Sequence, residues 1–210
     1  MKCCAGATIG WSPKESFDVQ GGHMLGKLLR HVRAGKRKLM MYREEFADVP
    51  ETIRVTSQSF VHEGKIPTRI TQLGENLSPA IEWQCLPANT CDIMVIMEDP
   101  DAPLISPFVH TIVYNLCPQI AIPEGAIPNG MDATGHAWMT HPRMGKNSFG
   151  KVTYIGPGPL PGHGTHHYYC QVFALDFTPA FPRPPSRQAM IRAIRSHVLA
   201  KGFVVGTFEI

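Results

Sequence analysis

Apolar positions in this chain follow two different spacings, and the change falls near residue 50. Between residues 24 and 43, Met24, Leu25, Leu28, Leu29 and Val32 fall on the i, i+4 rows of one helical face. Lys27, Arg30, Arg33, Lys36, Arg37 and Lys38 surround that face. The segment predicts a basic amphipathic helix, weakened or broken at Gly35. Its stripe has two readings. One is a packing face against the chain's own core or a second subunit, which is the commoner use of such stripes. The other is a helix lying on a membrane surface, favoured by anionic lipid.

From residue 52 the runs become short and strand-like. Residues 52–60 alternate loosely and are β-branched, and residues 80–83 follow a Ser78-Pro79 turn. Residues 91–98 are continuously apolar, which predicts a central strand buried on both faces, and residues 108–116 predict another strand. Residues 118–165 are rich in Gly, Pro, Asn and His, so they predict a long functional loop region or small irregular elements. Strand character returns over residues 168–175. Ser186 then caps a predicted helix running to about Lys201, with Met190, Ile191, Ile194 and Val198 as its buried stripe and Gly202 as its stop. Residues 203–208 predict a closing strand, and there is no internal repeat.

Length and composition narrow this picture. A chain of 210 residues suits one domain plus an extension, and the 19 Gly and 19 Pro lie mostly between apolar runs, which points to turns and mostly β structure. No apolar stretch approaches the roughly 20 residues that span a bilayer. Met1-Lys2-Cys3-Cys4 has no apolar stretch behind it, so no signal peptide is expected. The six cysteines make no Cys-x-x-Cys pair, and they are expected to be reduced thiols in a cytoplasmic protein, with Cys3 and Cys4 exposed.

The net charge of +3 is unevenly spread. Residues 1–50 hold nine basic and five acidic residues, a net of +4, and residues 51–210 hold eleven and twelve, a net of −1. A near-neutral core lacks the electrostatic footprint of a nucleic-acid binder.

The chemistry-bearing residues cluster in two segments. One is Asp99-Pro100-Asp101-Ala102-Pro103, followed by His110. The other is Gly162-His163-Gly164-Thr165-His166-His167-Tyr168. Alternation puts His110, Ile112 and Tyr114 on one strand face, and His166 and Tyr168 on another. Two prolines in five residues hold Asp99 and Asp101 in a fixed turn, and a preformed turn loses less entropy on binding. Imidazoles and a phenol can donate to phosphate or carboxylate oxygens, while an aspartate orients an imidazole from behind. Taken singly, each histidine is most often satisfied by backbone, and each Asp-Pro is most often a plain turn. The joint pattern favours a small anion pocket. No Gly-x-Ser-x-Gly elbow is present and neither Ser106 nor Ser148 has an evident base, so no catalytic residue, metal or cofactor is assigned.

These motifs resemble the two signature regions of the phosphatidylethanolamine-binding protein family. The matching residues are 99–103, His110 leading into Ile-Val-Tyr-Asn, and His166-His167-Tyr168. Asn76-Leu77-Ser78-Pro79 before Trp83, Gly145-Lys146-Asn147-Ser148-Phe149-Gly150, Gly156-Pro157-Gly158-Pro159 and residues 189–194 are similar to its bacterial Raf-kinase-inhibitor-like branch. The likeness covers about residues 52–210. It implies an antiparallel β-sandwich, with the predicted C-terminal helix, over residues 51–210; the basic, partly helical N-terminal extension over residues 1–50 lies outside the likeness. It implies an anion pocket built from Asp99, Asp101, Pro103, His110, His166 and Tyr168. Its ligand would be phosphate, phosphoethanolamine or a phosphoamino acid, with a kinase or protease as the regulated partner. One departure stands out: the second signature usually carries arginine directly after its histidine, and here the residue is His167.

Two other classes stay open at this point. A metal-dependent hydrolase could use His163, His166, His167, His110, Asp99 and Asp101, although no His-Glu-x-x-His is present. An adaptor could dimerise through the N-terminal helix.

Overall fold

A computed structural model describes residues 19–119, 121–129 and 142–210. Among the described residues seven strands form two sheets, and every strand pair is antiparallel. β1 (Arg54–Thr56) pairs with β2 (Glu82–Gln84). The larger sheet has the order β5-β4-β3-β6-β7, with β3 (Asp92–Asp99), β4 (Phe108–Leu116), β5 (Arg143–Met144), β6 (His166–Leu175) and β7 (Val198–Phe208).

β3 lies at the centre of that sheet and every residue in it is buried, as its unbroken apolar run predicts. Its alternate side chains feed two cores. Ile93, Val95 and Met97 join Val55 and Trp83 of the small sheet, together with Ile66, Ile70, Ile122 and Tyr154 from loops. Met94 and Ile96 face the other way, toward α2 (Arg187–Ile194) and the N-terminal segment. The molecule is thus a β-sandwich with a C-terminal helix outside its main sheet.

The N-terminal segment departs from the predicted 24–43 helix. α1 runs from Val19 to Leu29 only. Gly35 takes a φ of 98°, in the left-handed region where a helix cannot continue, and three single turns of tight helix follow between Lys36 and Phe46. Leu39, Met40, Met41 and Phe46 are fully buried in the second core. Three consecutive apolar residues cannot share one helical face, and the tight turns let all three reach inward.

A buried polar network fixes these turns. Glu98 accepts from Met40 N (2.7 Å) and Gln171 Nε2 (2.8 Å) and pairs with the Arg187 guanidinium. Gln171 Oε1 accepts from Met41 N (2.9 Å), and Lys201 Nζ donates to the carbonyls of Met41 and Phe46.

The helical stripe itself is not a packing face. Met24, Leu25, Leu28 and Val32 are exposed, at 75%, 47%, 79% and 47% of their surface. α1 docks instead through Gly26, where a Cβ would lie 2.1 Å from the Pro161 carbonyl oxygen, so only glycine permits the approach.

The C-terminal boundary also moves. α2 starts where Ser186 predicts, with the Ser186 side chain accepting from Ala189 N, but it ends at Ile194. Val198 to Lys201 belong to β7 and pair with β6, from Leu175↔Val198 to Phe173↔Lys201. Gly202 is a strand residue rather than a helix stop, because a Cβ there would lie 2.1 Å from the Ile53 carbonyl oxygen. Of the predicted 52–60 and 80–83 strands, only the short β1 and β2 form. Cys170 is a buried free thiol, pushed up to about 12 by burial, and behaves as a small hydrophobe. Cys85, Cys91 and Cys117 are exposed instead, and Cys3 and Cys4 lie outside the described residues.

Asp92, at the start of β3, is 3% exposed and accepts from Asn115 N (3.0 Å). Burial raises its pKa to about 7, against the backbone N–H groups of Asn115 and Leu116. A carboxyl raised on folding contributes its full stability below about pH 4 and loses it as pH rises through 7. Asp92→Asn removes that loss. The variant should gain about 2 kcal/mol over the parent between about pH 5 and about pH 8 in urea unfolding, and a pH-independent difference would contradict the assignment.

Candidate functional site

Asp99 ends β3 and Pro100 turns the chain out of the ladder. The Asp99 carboxylate then organises the turn it opens. Oδ1 accepts from Asp101 N (2.7 Å) and Ala102 N (3.2 Å), and Oδ2 accepts from His166 Nδ1–H (2.7 Å). One buried side chain therefore ties both signature segments together.

His110 reaches the same corner through a bulge. The β3–β4 register passes from Met97↔Thr111 to Glu98↔Val109, which leaves His110 as the extra residue. The bulge overturns simple alternation. Val109, Ile112 and Tyr114 face the second core, while His110 turns to the opposite face and packs edge-on against Tyr168, with ring centroids 5.2 Å apart. Tyr168 in turn stacks on His166 at 6.4 Å. Pro103 sits half-buried in the turn after Asp101.

The protonation states follow from partners that can only accept. His163 Nε2–H donates to the Leu29 carbonyl (2.8 Å), the end of α1. Burial pushes the His163 pKa down. Its Nδ1 shares a hydrogen bond with His166 Nε2 (2.7 Å), while His166 Nδ1–H donates to Asp99. Both nitrogens of His166 are thus occupied, and the ring has no free donor.

His110 is the opposite case. Burial lowers its pKa, with the Asp99 charge opposing. Nδ1–H donates to the Ile155 carbonyl (2.6 Å), leaving Nε2 as an acceptor when the ring is neutral. Among the described residues His110 Nε2 has no partner, although the residue is only 3% exposed, and the fully buried Tyr168 hydroxyl has only the Gly158 backbone beside it. Burial first, then the charges of Asp99 and Asp101, raise the Tyr168 pKa, so it stays a phenol that can donate.

Asp101 points the other way. Its Oδ2 accepts from the backbone N (2.8 Å) and Nδ1 (2.7 Å) of His167, and its Oδ1 pairs with the Arg33 guanidinium, which also donates to the Thr165 carbonyl. Burial alone would raise the Asp101 pKa, but the Arg33 and His167 hydrogen bonds outweigh it and hold the carboxyl below its usual range. The position that usually carries arginine thus holds a histidine, and the N-terminal segment contributes a guanidinium to the same carboxylate. Ala34 N and Gly35 N add backbone bonds to the carbonyls of Ala102 (3.1 Å) and Pro100 (2.9 Å), so residues 29–35 clasp both signature segments.

Sequence reasoning placed His163 only among possible metal ligands and gave Arg33 no site role. Both join the cluster through a segment far away in the chain, and no local spacing signals such pairings. Among the described residues, no three His, Cys, Asp or Glu side chains are placed to hold a metal ion, and the nitrogens of His163 and His166 are already engaged with one another, Asp99 and Leu29.

Comparison with known proteins agrees with this architecture. The sequence pattern described as phosphatidylethanolamine-binding protein matches residues 56–209. The chain belongs to the phosphatidylethanolamine-binding protein family. A UPF0098 protein of Pyrococcus horikoshii is 36% identical over 154 residues, covering 73% of this chain and 75% of that protein. A UPF0098 protein of Aquifex aeolicus is 34% identical over 158 residues, covering 75% and 88%. Among solved structures of the family, the CT736 homologue of Chlamydia trachomatis superposes with a TM-score of 0.66 at 27% identity, covering 76% of this chain and 99% of that one. YbcL of E. coli gives 0.67 at 25% identity with the same coverage. The family match begins after β1 has started, so α1 and the clasp lie outside it.

His163 is the hinge between clasp and pocket. His163→Ala removes the bond to Leu29 and leaves His166 Nε2–H without its acceptor. Amide exchange over residues 22–33 should rise about tenfold or more while β3 stays protected, as loss of a hydrogen bond of about 1–1.5 kcal/mol implies. Unchanged exchange in α1 would show that His163 does not hold the helix.

Proposed function

We propose that this protein is a non-enzymatic binding protein whose corner pocket takes a small phosphate-like or acidic group, either a phospholipid head group or a phosphorylated residue. The observation that carries this reading is His110 Nε2, buried and without a partner among the described residues, with the Tyr168 ring packed edge-on against it and the His166 ring behind. Buried polar atoms without partners are rare, and one at this corner favours a ligand or ordered water as the missing partner. The set Asp99, Asp101, Pro103, His110, His166 and Tyr168 then divides by role. Tyr168 donates, His110 meets the ligand through Nε2, His166 backs the Tyr168 ring, Asp99 fixes the geometry, and Asp101 and Pro103 hold the turn.

Recognition rather than catalysis is favoured because, among the described residues, Ser148 is no activated nucleophile. The Ser148 hydroxyl oxygen accepts from Val109 N (2.8 Å) and faces no base. The family's description as a binding protein supports the same reading. Modulation of a kinase or protease in the cytoplasm is the role we assign, with the regulated protein contributing the acidic or phosphorylated side chain. The division at residue 50 marks where the family-like region begins rather than where packing begins, since Leu39 to Phe46 fill the second core.

Because neutral His110 offers an acceptor, an anion must bring a proton on itself or place one on the ring. Phosphate and phosphomonoesters can do either. Titration with phosphate, phosphoethanolamine and phosphotyrosine should shift the His110 Nε2 and His166 ring resonances. Tyr168→Phe should weaken binding about tenfold, the value of one lost hydrogen bond. Ring resonances that do not move with any of the three would overturn the pocket assignment.

A further inference from the structure

Beyond the pocket, the outer face of α1 carries a second set of observations. Gly26 faces the 161–163 loop and Leu29 is half-buried, whereas Met24 and Leu28, one turn apart, point away from the protein at 75% and 79% exposure. Leu25 and Val32 extend the apolar strip at 47% each. Lys27 and Arg30 are exposed beside it, followed by Arg37 and Lys38. Between residues 24 and 43 there are seven basic residues and no acidic one. A second apolar tip, Leu104 (48% exposed) and Ile105 (89%), lies against the segment that follows α1, since Lys38 Nζ donates to the Ile105 carbonyl (2.9 Å) and Ala34 N to the Ala102 carbonyl.

Singly exposed apolar residues are ordinary; a row of them on one helix, bordered by an excess of positive charge, is not. A strip of leucine, methionine and valine held open by a docked helix is costly to leave in water. α1 is held firmly enough to present it. Gly26 fits against Pro161, His163 caps Leu29, and Arg33 bridges Asp101 and Thr165. The helix is thus an inherent part of the surface rather than a frayed end.

We propose that this face docks on an anionic lipid surface. The apolar strip enters the head-group boundary, and Lys27, Arg30, Arg37 and Lys38 meet lipid phosphates and carboxylates. Charge complementarity selects the occupant: a surface that is apolar within and negative at its border matches a strip bordered mainly by cations, which outnumber the neighbouring Glu44, Glu45 and Glu209. A second copy of this chain would bring the same seven cations against their equals, with no acid between residues 24 and 43 to offset them. The proposal stands independently of what the pocket binds.

The test is co-sedimentation of the full chain with vesicles of phosphatidylcholine alone and of phosphatidylcholine with phosphatidylglycerol, for the parent and for Leu28→Glu. Leu28 is almost fully exposed, so its substitution leaves the core intact. The parent should bind anionic vesicles about tenfold or more tightly than neutral ones and be released by high salt, which shortens electrostatic range to about 3 Å. Leu28→Glu should lose most of that binding while phosphate still shifts the His110 resonances. Absence of binding to anionic vesicles, or equal binding by Leu28→Glu, would overturn the proposal. So would a concentration-dependent dimer abolished by Leu28→Glu without vesicle binding, which would assign the face to a second copy. If the pocket reading alone fails, phosphate leaves His110 unmoved and vesicle binding persists.

Discussion

The Asp99 carboxylate is the constraint around which this corner is built. It closes the Asp-Pro turn through two backbone N–H groups and fixes the His166 ring through Nδ1. Asp99 engages Nδ1 and His163 engages Nε2, so both nitrogens of His166 are fixed. The orientation of this ring is therefore a property of the hydrogen-bond chain, from the end of β3 to the last carbonyl of α1. That chain ends on the N-terminal segment, so ring orientation and clasp position are physically joined.

A second network does for the N-terminal segment what Asp99 does for the turn. Glu98, one residue earlier on β3, gathers Met40 N, Gln171 and Arg187 in the second core, and Lys201 holds the Met41 and Phe46 carbonyls. Neighbouring acids on one strand thus face opposite ways and stabilise opposite layers. A lone buried carboxylate is costly, and Glu98 is tolerated because cation and amide donors surround it. By anchoring residues 38–41 it also fixes where residues 29–35 cross the signature segments.

What could be read from sequence was local. β4 forms over residues 108–116 as its apolar run predicts, β3 is displaced by a single residue, and Ser186 caps α2. The failures are places where distant pairing decides. Residues 198–201 suit either a helix or a strand, and their ladder with β6 settles the matter. Leu39-Met40-Met41 carried a readable warning, since adjacent apolar residues do not share a helical face. The stripe of α1 looked like a packing face because its periodicity was correct, yet Gly26, a residue without hydrophobic signal, is what docks. The site showed the same divide. Asp99, His110, His166 and Tyr168 were legible as residue types in two motifs, and the structure brings them to one corner. The His110 bulge, the His163 relay and the Arg33 pairing depend on register and on tautomers, which spacing does not encode.

His110 Nε2 has no partner among the described residues, and a neutral ring there must gain a proton before it can hold a bare anion. Sulfate isolates that step, because near neutral pH it carries no proton of its own. Calorimetry of sulfate binding in two buffers with different ionisation heats counts the protons exchanged. At about pH 7.5 about one proton should be taken up for each sulfate bound, since a ring whose pKa lies below its ordinary value starts neutral and ends charged. Sulfate bound in the pocket with no proton taken up would contradict it.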